Sequence, residues 1–408
     1  MKHYDLSLKK GSERQISRLH IALLTGGGDK PYAIALASAL TSRGIFLDFI
    51  GSDEVNGNDI PNSKLIRFLN LRGNQNHDAF ILRKVVRVVI FYFRLIRYVP
   101  VSQPKIFHVL WNNKLDYFDR IVLMLYYKLL GKTIVLTVHN VNRGQRDRCD
   151  NIFNRLSLKF QYRLVDQIFV HTKKMRQELE EGYCVDPNKV SVIPFGINDT
   201  LPVGRVSSVE AKKRLNIALN DKVILFFGNI APYKGLEYLL DAFVELMKKH
   251  ADYRLLIAGN FKATDVYRKR IEQQIIGSKW RGRIIAKLHY IPDEEVETYF
   301  KAADVLVLPY VHIYQSGVLF LSYNYGLPTI AADVGSLRED VIEGITGMIF
   351  RPRDHMDLAH AIEKYFASEL FLNLEHTRGV IRNMVARNHS WDVIAERTEK
   401  VYMGMSDA

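Results

Sequence analysis

Short apolar runs alternate with longer amphipathic stretches along the whole chain. That is the pattern of strands buried in parallel sheets with helices packed over them. In the first half, Leu19–Leu24, Leu47–Gly51, Ile106–Leu110, Thr133–Thr137, Gln167–His171 and Val190–Ile193 read as strands. In the second half, Val223–Phe227, Tyr253–Ala258, Ile284–Leu288, Val305–Leu308 and Thr329–Ala331 do the same. Helix-sized segments lie between them, among them Ala33–Arg43, Leu236–His250 and Asp293–Ala302. The expected fold class is α/β, with two doubly wound, Rossmann-like domains facing a cleft. The segment Pro194–Val209, rich in Pro, Gly, Ser and Asn and without helical periodicity, marks the boundary.

Length supports two domains, because single cores stop growing near roughly 250–300 residues and this chain has 408. The 48% hydrophobic and 25% charged residues describe an ordinary globular protein. Cys149 and Cys184 have the chemistry to pair, but a core of this size needs no staple, so the expected compartment is reducing and cytoplasmic. The first twenty residues hold no apolar run of signal-peptide length. Val305–Ala332 lacks Asp, Glu, Lys and Arg and is long enough to span a bilayer. Pro309, Gln315, Ser316, Gly317, Asn324, Gly326 and Pro328 interrupt it, so strand, loop, short helix and strand is the better reading.

The net charge of +13 permits nucleic acid, an anionic membrane or a phosphate-bearing small molecule as partner. No zinc-finger spacing, aromatic-basic RNA motif or basic tail calls for nucleic acid. The histidines are scattered, and no metal site is expected.

Open parallel sheets bind ligands at the carboxyl ends of their strands, and two strand-to-helix turns stand out. After Val223–Phe227 comes GNIAPYKGLEYLLDAF, where Gly228 allows a tight turn and Lys234 offers a point charge to a phosphate. Alternatively, these are a loop glycine and a solvated lysine. After Val305–Leu308 comes YQSGVLFLSYNYGLP, with Ser316 and Gly317 at the N-terminus of a helix over Val318–Tyr325. Such a terminus attracts anions, although an ordinary serine cap gives the same sequence.

The run Val223–Phe350 resembles the nucleotide-binding domain of family 4 glycosyltransferases, which have the GT-B fold. The resemblance rests on GNIAPYKGLEYLLDAF, LLIAG, YIPDEEVETYFKAADVLVLP and YGLPTIAADVGSLREDVIEGITGMIF, in matching order and spacing. In the first half, TGGGDKPYAIALASAL, VLTVHN and QIFVHT resemble the acceptor-side domain of that family, and HSWDVIAERTEKVY resembles its returning final helix. The resemblance implies domains at 1–200 and 201–385, and a helix at 386–408 crossing back. It implies a UDP- or GDP-sugar donor, a glycan or lipid-linked acceptor, hexosyl transfer in polysaccharide-precursor synthesis, and no metal or other cofactor. Lys234 matches the lysine on the diphosphate; Gly228 and Gln315–Val318, with Gly317 and Val318 foremost, match the loops around it. Tyr290 and Ile291 match the nucleobase loop, and His139 a histidine beside the transferred sugar. Gly27 and Gly28 fall on the acceptor side.

The sequence departs from this pattern at the pair of glutamates usual in retaining members, where Ile313 and Leu321 stand instead. Asn229 also follows Gly228 where an arginine is common. An inverting reaction would need a base, and Asp29 in GGGDK follows the first strand; its other reading is a cap on the helix starting near Pro31. Three alternatives remain. One is a non-catalytic sugar- or nucleotide-binding protein, another a sugar-nucleotide epimerase. The third, a nicotinamide-dependent oxidoreductase, lacks the third glycine of its fingerprint because Pro31 stands there.

Phe80–Tyr98 places Arg83, Arg87, Arg94 and Arg97 at helical spacing, flanked by Lys84. Val85, Val86, Val88, Val89, Tyr92, Phe93 and Ile96 cover the rest of the circumference. Such a helix suits the headgroup region of an anionic leaflet, which predicts a peripheral protein on the inner face of the cell membrane. A core-packed helix with a solvated basic edge is the competing expectation.

Overall fold

A computed structural model describes residues 19–55, 63–76, 80–146, 149–197, 204 and 206–406. Among these, the first half forms one parallel sheet. Its strands are β1 (His20–Leu24), β2 (Phe46–Gly51), β3 (Ile66–Asn70), β4 (Ile106–Val109), β5 (Thr133–Thr137), β6 (Gln167–Val170) and β7 (Val190–Val192). Their order is β3-β2-β1-β4-β5-β6-β7. The second sheet holds β8 (Lys222–Phe227), β9 (Tyr253–Ala258), β10 (Ile284–Lys287), β11 (Val305–Leu308), β12 (Thr329–Ala332) and β13 (Gly347–Phe350), in the order β10-β9-β8-β11-β12-β13. Central strands are buried on both faces, which is why they read as unbroken apolar runs: every residue of β4 and β11 is buried. Ile21 of β1 lies opposite Leu47 on one side and Ile106 on the other.

Two strands were absent from the sequence reading, and both are sheet edges. β3 has no buried residue, only half-buried and exposed ones; its Arg67 pairs with the fully buried Asp48 of β2. β13 closes the opposite end of the second sheet. Val305–Ala332 resolves into β11, a loop, a short helix and β12, and no helix among the described residues is long and apolar enough to cross a membrane.

The helices that shape the cleft are α1 (Lys30–Ser42), α2 (Ile81–Val101), α3 (Ile152–Leu164), α4 (Lys173–Tyr183), α5 (Leu236–Lys249), α6 (Asp293–Ala302), α7 (Gly317–Asn324), α8 (Leu374–His389) and α9 (Trp391–Ser406). α1 begins three residues before the expected Ala33. The Asp29 carboxylate caps it, accepting from the Tyr32 amide at 3.1 Å, and Pro31 fits the first turn.

α9 returns to the first domain and packs on α1. Its buried Tyr402 hydroxyl bonds His108 Nδ1 of β4 at 2.5 Å, and Glu399 pairs with Arg43. The chain therefore joins its halves twice. The first junction, expected within Pro194–Val209, falls largely on residues 198–203 and 205, outside the described residues. The flanking Ile197 carbonyl accepts from Trp391 Nε1 at 2.7 Å.

α2 corrects the expected helical surface in two places. Tyr92 faces the core and donates to Asp119 at 2.9 Å, and Arg87 bends back to the Asn74 and Asn76 carbonyls at 2.8 and 3.2 Å. The packed face is Phe91, Tyr92, Leu95 and Val99. Val85, Val86, Val89, Ile90, Phe93 and Ile96 stay exposed beside Arg83, Arg94 and Arg97. Cys149 and Cys184 are free, exposed thiols.

Candidate functional site

Each sheet reverses its winding direction once, between β1 and β4 in the first domain and between β8 and β11 in the second. The loops leaving the carboxyl ends of those strands splay apart, and the crevice they leave is where such sheets bind ligands. The cleft residues expected from the sequence lie on these loops, on those after β5 and β10, or in the first turn of α7.

In the second domain, Gly228 leaves β8 with φ +96, a conformation that favours glycine, and a Cβ there would lie 3.1 Å from the Val318 side chain. The two expected loops thus touch. Lys234 is not a solvated lysine: it is only 6% exposed, its Nζ donates to the Tyr310 hydroxyl, and it sits 4.0 Å over the Tyr310 ring. Ser316 caps α7 by accepting from the Leu319 amide at 3.4 Å and donates to the same Tyr310 hydroxyl at 3.5 Å. Tyr310, two residues beyond β11, was not expected from the sequence; it ties Lys234 to the α7 N-terminus. Gly317 is exposed, and a Cβ there would meet nothing within 4 Å. A cation, free amides and open space therefore converge, a chemistry suited to an anion.

Tyr290 is exposed, whereas the Ile291 side chain lies in the core and leaves only its backbone to the cleft. Gln315 Nε2 donates to Asp340 Oδ2 at 3.3 Å, and its Oε1 is buried without a partner among the described residues. The acid missing from Val305–Ala332 thus returns from further along the chain. Burial pushes the Asp340 carboxyl up to about 7.

The first domain builds a different surface. Gly27 has φ +75 and lies against the Arg72 guanidinium; a Cβ at Gly28 would meet the Trp111 ring at 2.1 Å. Trp111 stacks flat on His139, with centroids 4.3 Å apart and planes 6° apart. Tyr32 of α1 meets His139 edge-on at 5.1 Å and Trp391 of α9 at the same distance. Asp29 is exposed at the mouth, one carboxylate oxygen serving as the α1 cap.

The protonation of His139 follows from its partners. His171 Nδ1 lies 3.0 Å from the Ile193 carbonyl, which only accepts, so this nitrogen carries the proton. Burial lowers the His171 pKa to about 4, so the ring is neutral and its Nε2 is a lone pair. His139 Nδ1, 2.9 Å away, must then donate. Burial first, and the neighbouring His171 and His108 after it, hold His139 well below the usual histidine range. His139 Nε2 is therefore a bare acceptor, buried and without a hydrogen-bond partner among the described residues. It suits a hydroxyl donor better than a proton-transfer role.

The domains meet around these surfaces. Phe195, packed on both His139 and His171, stacks on Phe320 of α7 at 5.6 Å. The Tyr314 hydroxyl contacts Asn142 at 3.2 Å and Glu178 at 3.1 Å. The Glu339 carboxylate accepts from the Lys173 and Lys174 amides at 2.9 and 2.7 Å, a negative charge on the N-terminus of α4. A cavity of about 250 Å3 lies between the domains beside Tyr314. Among the described residues no cluster of three His, Cys, Asp or Glu side chains has metal-ligand proximity.

Comparison with known proteins matches residues 26–201 to the family described as Glycosyltransferase Family 4, and residues 221–368 to Glycosyl transferases group 1. The chain is 28% identical over 275 residues to a D-inositol 3-phosphate glycosyltransferase of Corynebacterium diphtheriae, covering 65% of this chain and 62% of that one. It spans about three fifths of the length of the curated relatives it matches. Among solved structures, sucrose-phosphate synthase of Thermosynechococcus elongatus superposes with a TM-score of 0.74 at 20% identity, over 96% of this chain and 100% of the other. Anabaena HepE, solved with UDP, superposes with a TM-score of 0.72 at 14% identity, over 95% of this chain and 100% of its own. At these identities the structural likeness is one of fold.

Proposed function

This chain belongs to the family 4 glycosyltransferases of GT-B architecture, and from that premise we propose that it moves a hexosyl group from a UDP- or GDP-sugar to an acceptor hydroxyl. The acceptor is a glycan or lipid-linked polysaccharide precursor. One observation carries the reading: the switch points of both sheets open on a single cleft, with an anion site on one wall and a neutral hydroxyl acceptor on the other.

In this reading the diphosphate lies on Lys234 and the amides at Gly317 and Val318. The base packs by the exposed Tyr290 ring and the Ile291 backbone, and His139 Nε2 accepts from a sugar hydroxyl. The bond from the anomeric carbon to the diphosphate breaks as the acceptor oxygen bonds that carbon. The acceptor proton passes to a diphosphate oxygen if configuration is retained, or to Asp29 if it inverts. Lys234 and the helix terminus offset the charge on the departing diphosphate, so the reaction needs no metal. Support for a uridine donor comes from HepE, solved with UDP and with UDP-glucose.

The protein works at the inner face of the cell membrane, seated by α2. Exposed Val89 and Phe93 enter the headgroup region while Arg83, Arg94 and Arg97 meet anionic lipid, each contributing about 1 kcal/mol. The test is a donor screen on the purified protein, reading release of UDP or GDP, with product NMR for anomeric configuration. Absence of both nucleotide binding and release across the panel would overturn the reading. Ile313 and Leu321 in place of the glutamate pair favour a second reading, a binding protein without transfer. Tight nucleotide binding with no release under any acceptor would establish it, and a new sugar nucleotide formed without acceptor would indicate an epimerase.

A further inference from the structure

A second cavity, of about 490 Å3, lies in the first domain between α2 and the loop after β4. That volume is within the roughly 300–1,000 Å3 typical of small-molecule sites. Its wall is apolar, formed mainly by Val85, Val89 and Phe91, while Arg72, Lys84, Arg87 and Lys114 bring four cations to it. Among the described residues no carboxylate lines it. From Phe80 to Leu115 the chain carries no Asp or Glu at all.

Arg72 is the unusual member. It is only 7% exposed, stacks over the Phe91 ring at 5.2 Å, and its guanidinium donates to Asn113 Oδ1 at 3.2 Å. Its Nε has no partner among the described residues. Glu54 and Asp119 act on it through space, and no ion pair forms among the described residues. A buried guanidinium whose nearest carboxylates act only at a distance is costly to hold, and a ligand that pairs with it directly offsets that cost.

The same guanidinium packs against Gly27, Gly28 packs against Trp111, and Trp111 stacks on His139. The cavity therefore adjoins the cleft through these three contacts, on the acceptor side. The geometry points to a site for an anionic amphiphile: a phosphate ester whose charged head lies on Arg72 and whose alkyl chain runs along the exposed valines of α2. This deepens the proposed function, on which it rests, by assigning the acceptor a phosphate head and an alkyl tail. The head on Arg72 would hold the acceptor's sugar end beside Gly27 and Gly28, at the mouth of the cleft. Free hydroxyls of that sugar would then face the donor.

The test is calorimetric binding of octyl phosphate, below its micelle concentration, to the full chain. Octyl glucoside and inorganic phosphate serve as the neutral and chain-free arms. Octyl phosphate should bind at least tenfold more tightly than either. Arg72→Met should abolish that preference. Because Arg72 is buried, the variant Lys84→Gln/Lys114→Gln, at one half-buried and one exposed lysine, provides a second reading and should weaken octyl phosphate about fivefold. UDP or GDP affinity serves as the folding check for both. Binding to phosphatidylglycerol vesicles separates the sources: Arg72→Met should retain it, because α2 seats the protein independently. Equal affinity for octyl phosphate and octyl glucoside would overturn the inference. So would octyl phosphate binding that neither variant changes, or charge dependence seen only with vesicles. Failure here with transfer to a water-soluble glycan intact would leave the proposed function standing; loss of nucleotide binding in the wild type would remove the reading itself.

Discussion

The two switch points occupy equivalent places in equivalent sheets, yet they are built from opposite materials. The second-domain point is a cation, a helix terminus and open space: Lys234, Tyr310, Ser316 and an unobstructed Gly317. The first-domain point is a stack of neutral rings, with Tyr32, Trp111, His139 and His171 packed so closely that Gly28 has no room for a methyl group. One holds charge by leaving a gap, and the other fixes a single uncharged acceptor atom by filling every gap. A common fold therefore sets where a ligand goes, and the loop residues decide which part of it each side takes.

Acid and base should separate the two halves most strongly. His171 titrates at about 4 when folded and near 6.5 when unfolded, because burial disfavours its charged form. Its contribution is fully present above pH 6.5 and is lost as pH falls toward 4, amounting to about 3 kcal/mol. Asp340 runs the other way. Burial raises it to about 7, so its contribution is present below its ordinary value and lost as pH rises through 7. Denaturant melts from pH 4 to 8 should show a flattened acid limb in His171→Phe and a flattened neutral limb in Asp340→Asn. Unchanged slopes in both variants would show that burial is not setting these groups.

A pair of glycine substitutions sharpens the contrast at smaller scale. Gly28→Ala drives a methyl into the Trp111 ring and should destabilise the protein by about 1–3 kcal/mol. Gly317→Ala meets no atom, so stability should change by less than about 0.5 kcal/mol while nucleotide affinity falls. Thermal melts beside UDP titrations read both. Equal destabilisation, or a Gly317→Ala protein with full affinity, would break the comparison.

Glu339 joins the halves and should give the smallest effect. Glu339→Gln removes a carboxylate from the α4 terminus, worth about 0.3–1 kcal/mol. A two- to fivefold rise in KM for the donor at low salt, shrinking as salt is added, is the expected signature. A salt-independent effect would point to a packing role instead.

The sequence exposed the parts of this architecture that repeat a local rule. Strands buried on both faces leave apolar runs, so β5, β9 and β11 were legible to the residue. The edge strand β3 was not, because the exposed polar residues Arg67 and Asn70 break the run. Lys234, Ser316 and Gly317 were legible as candidates because they follow strand ends, and His139 only through the family resemblance of VLTVHN. Their settings were not. Tyr310 under Lys234, His171 behind His139 and Trp111 across it come from separate loops that only the parallel winding brings together. Asp340 reaches Gln315 across β12, so a search for acids confined to the loop could not find it. The α2 surface was legible as basic and apolar, whereas which of its residues face the core depended on Asp119 and on the Asn74 and Asn76 carbonyls.

The division of labour between the two walls is tested most directly by calorimetry of a nucleoside diphosphate and its best sugar nucleotide against wild type, Lys234→Ala and His139→Ala. Lys234→Ala should weaken both ligands tenfold or more, as loss of a charged hydrogen bond of about 1.5–3 kcal/mol requires. His139→Ala should leave the nucleoside diphosphate unchanged and weaken only the sugar nucleotide, by roughly three- to tenfold for a neutral bond. Full nucleoside-diphosphate affinity in Lys234→Ala, or equal losses for both ligands in His139→Ala, would contradict the account.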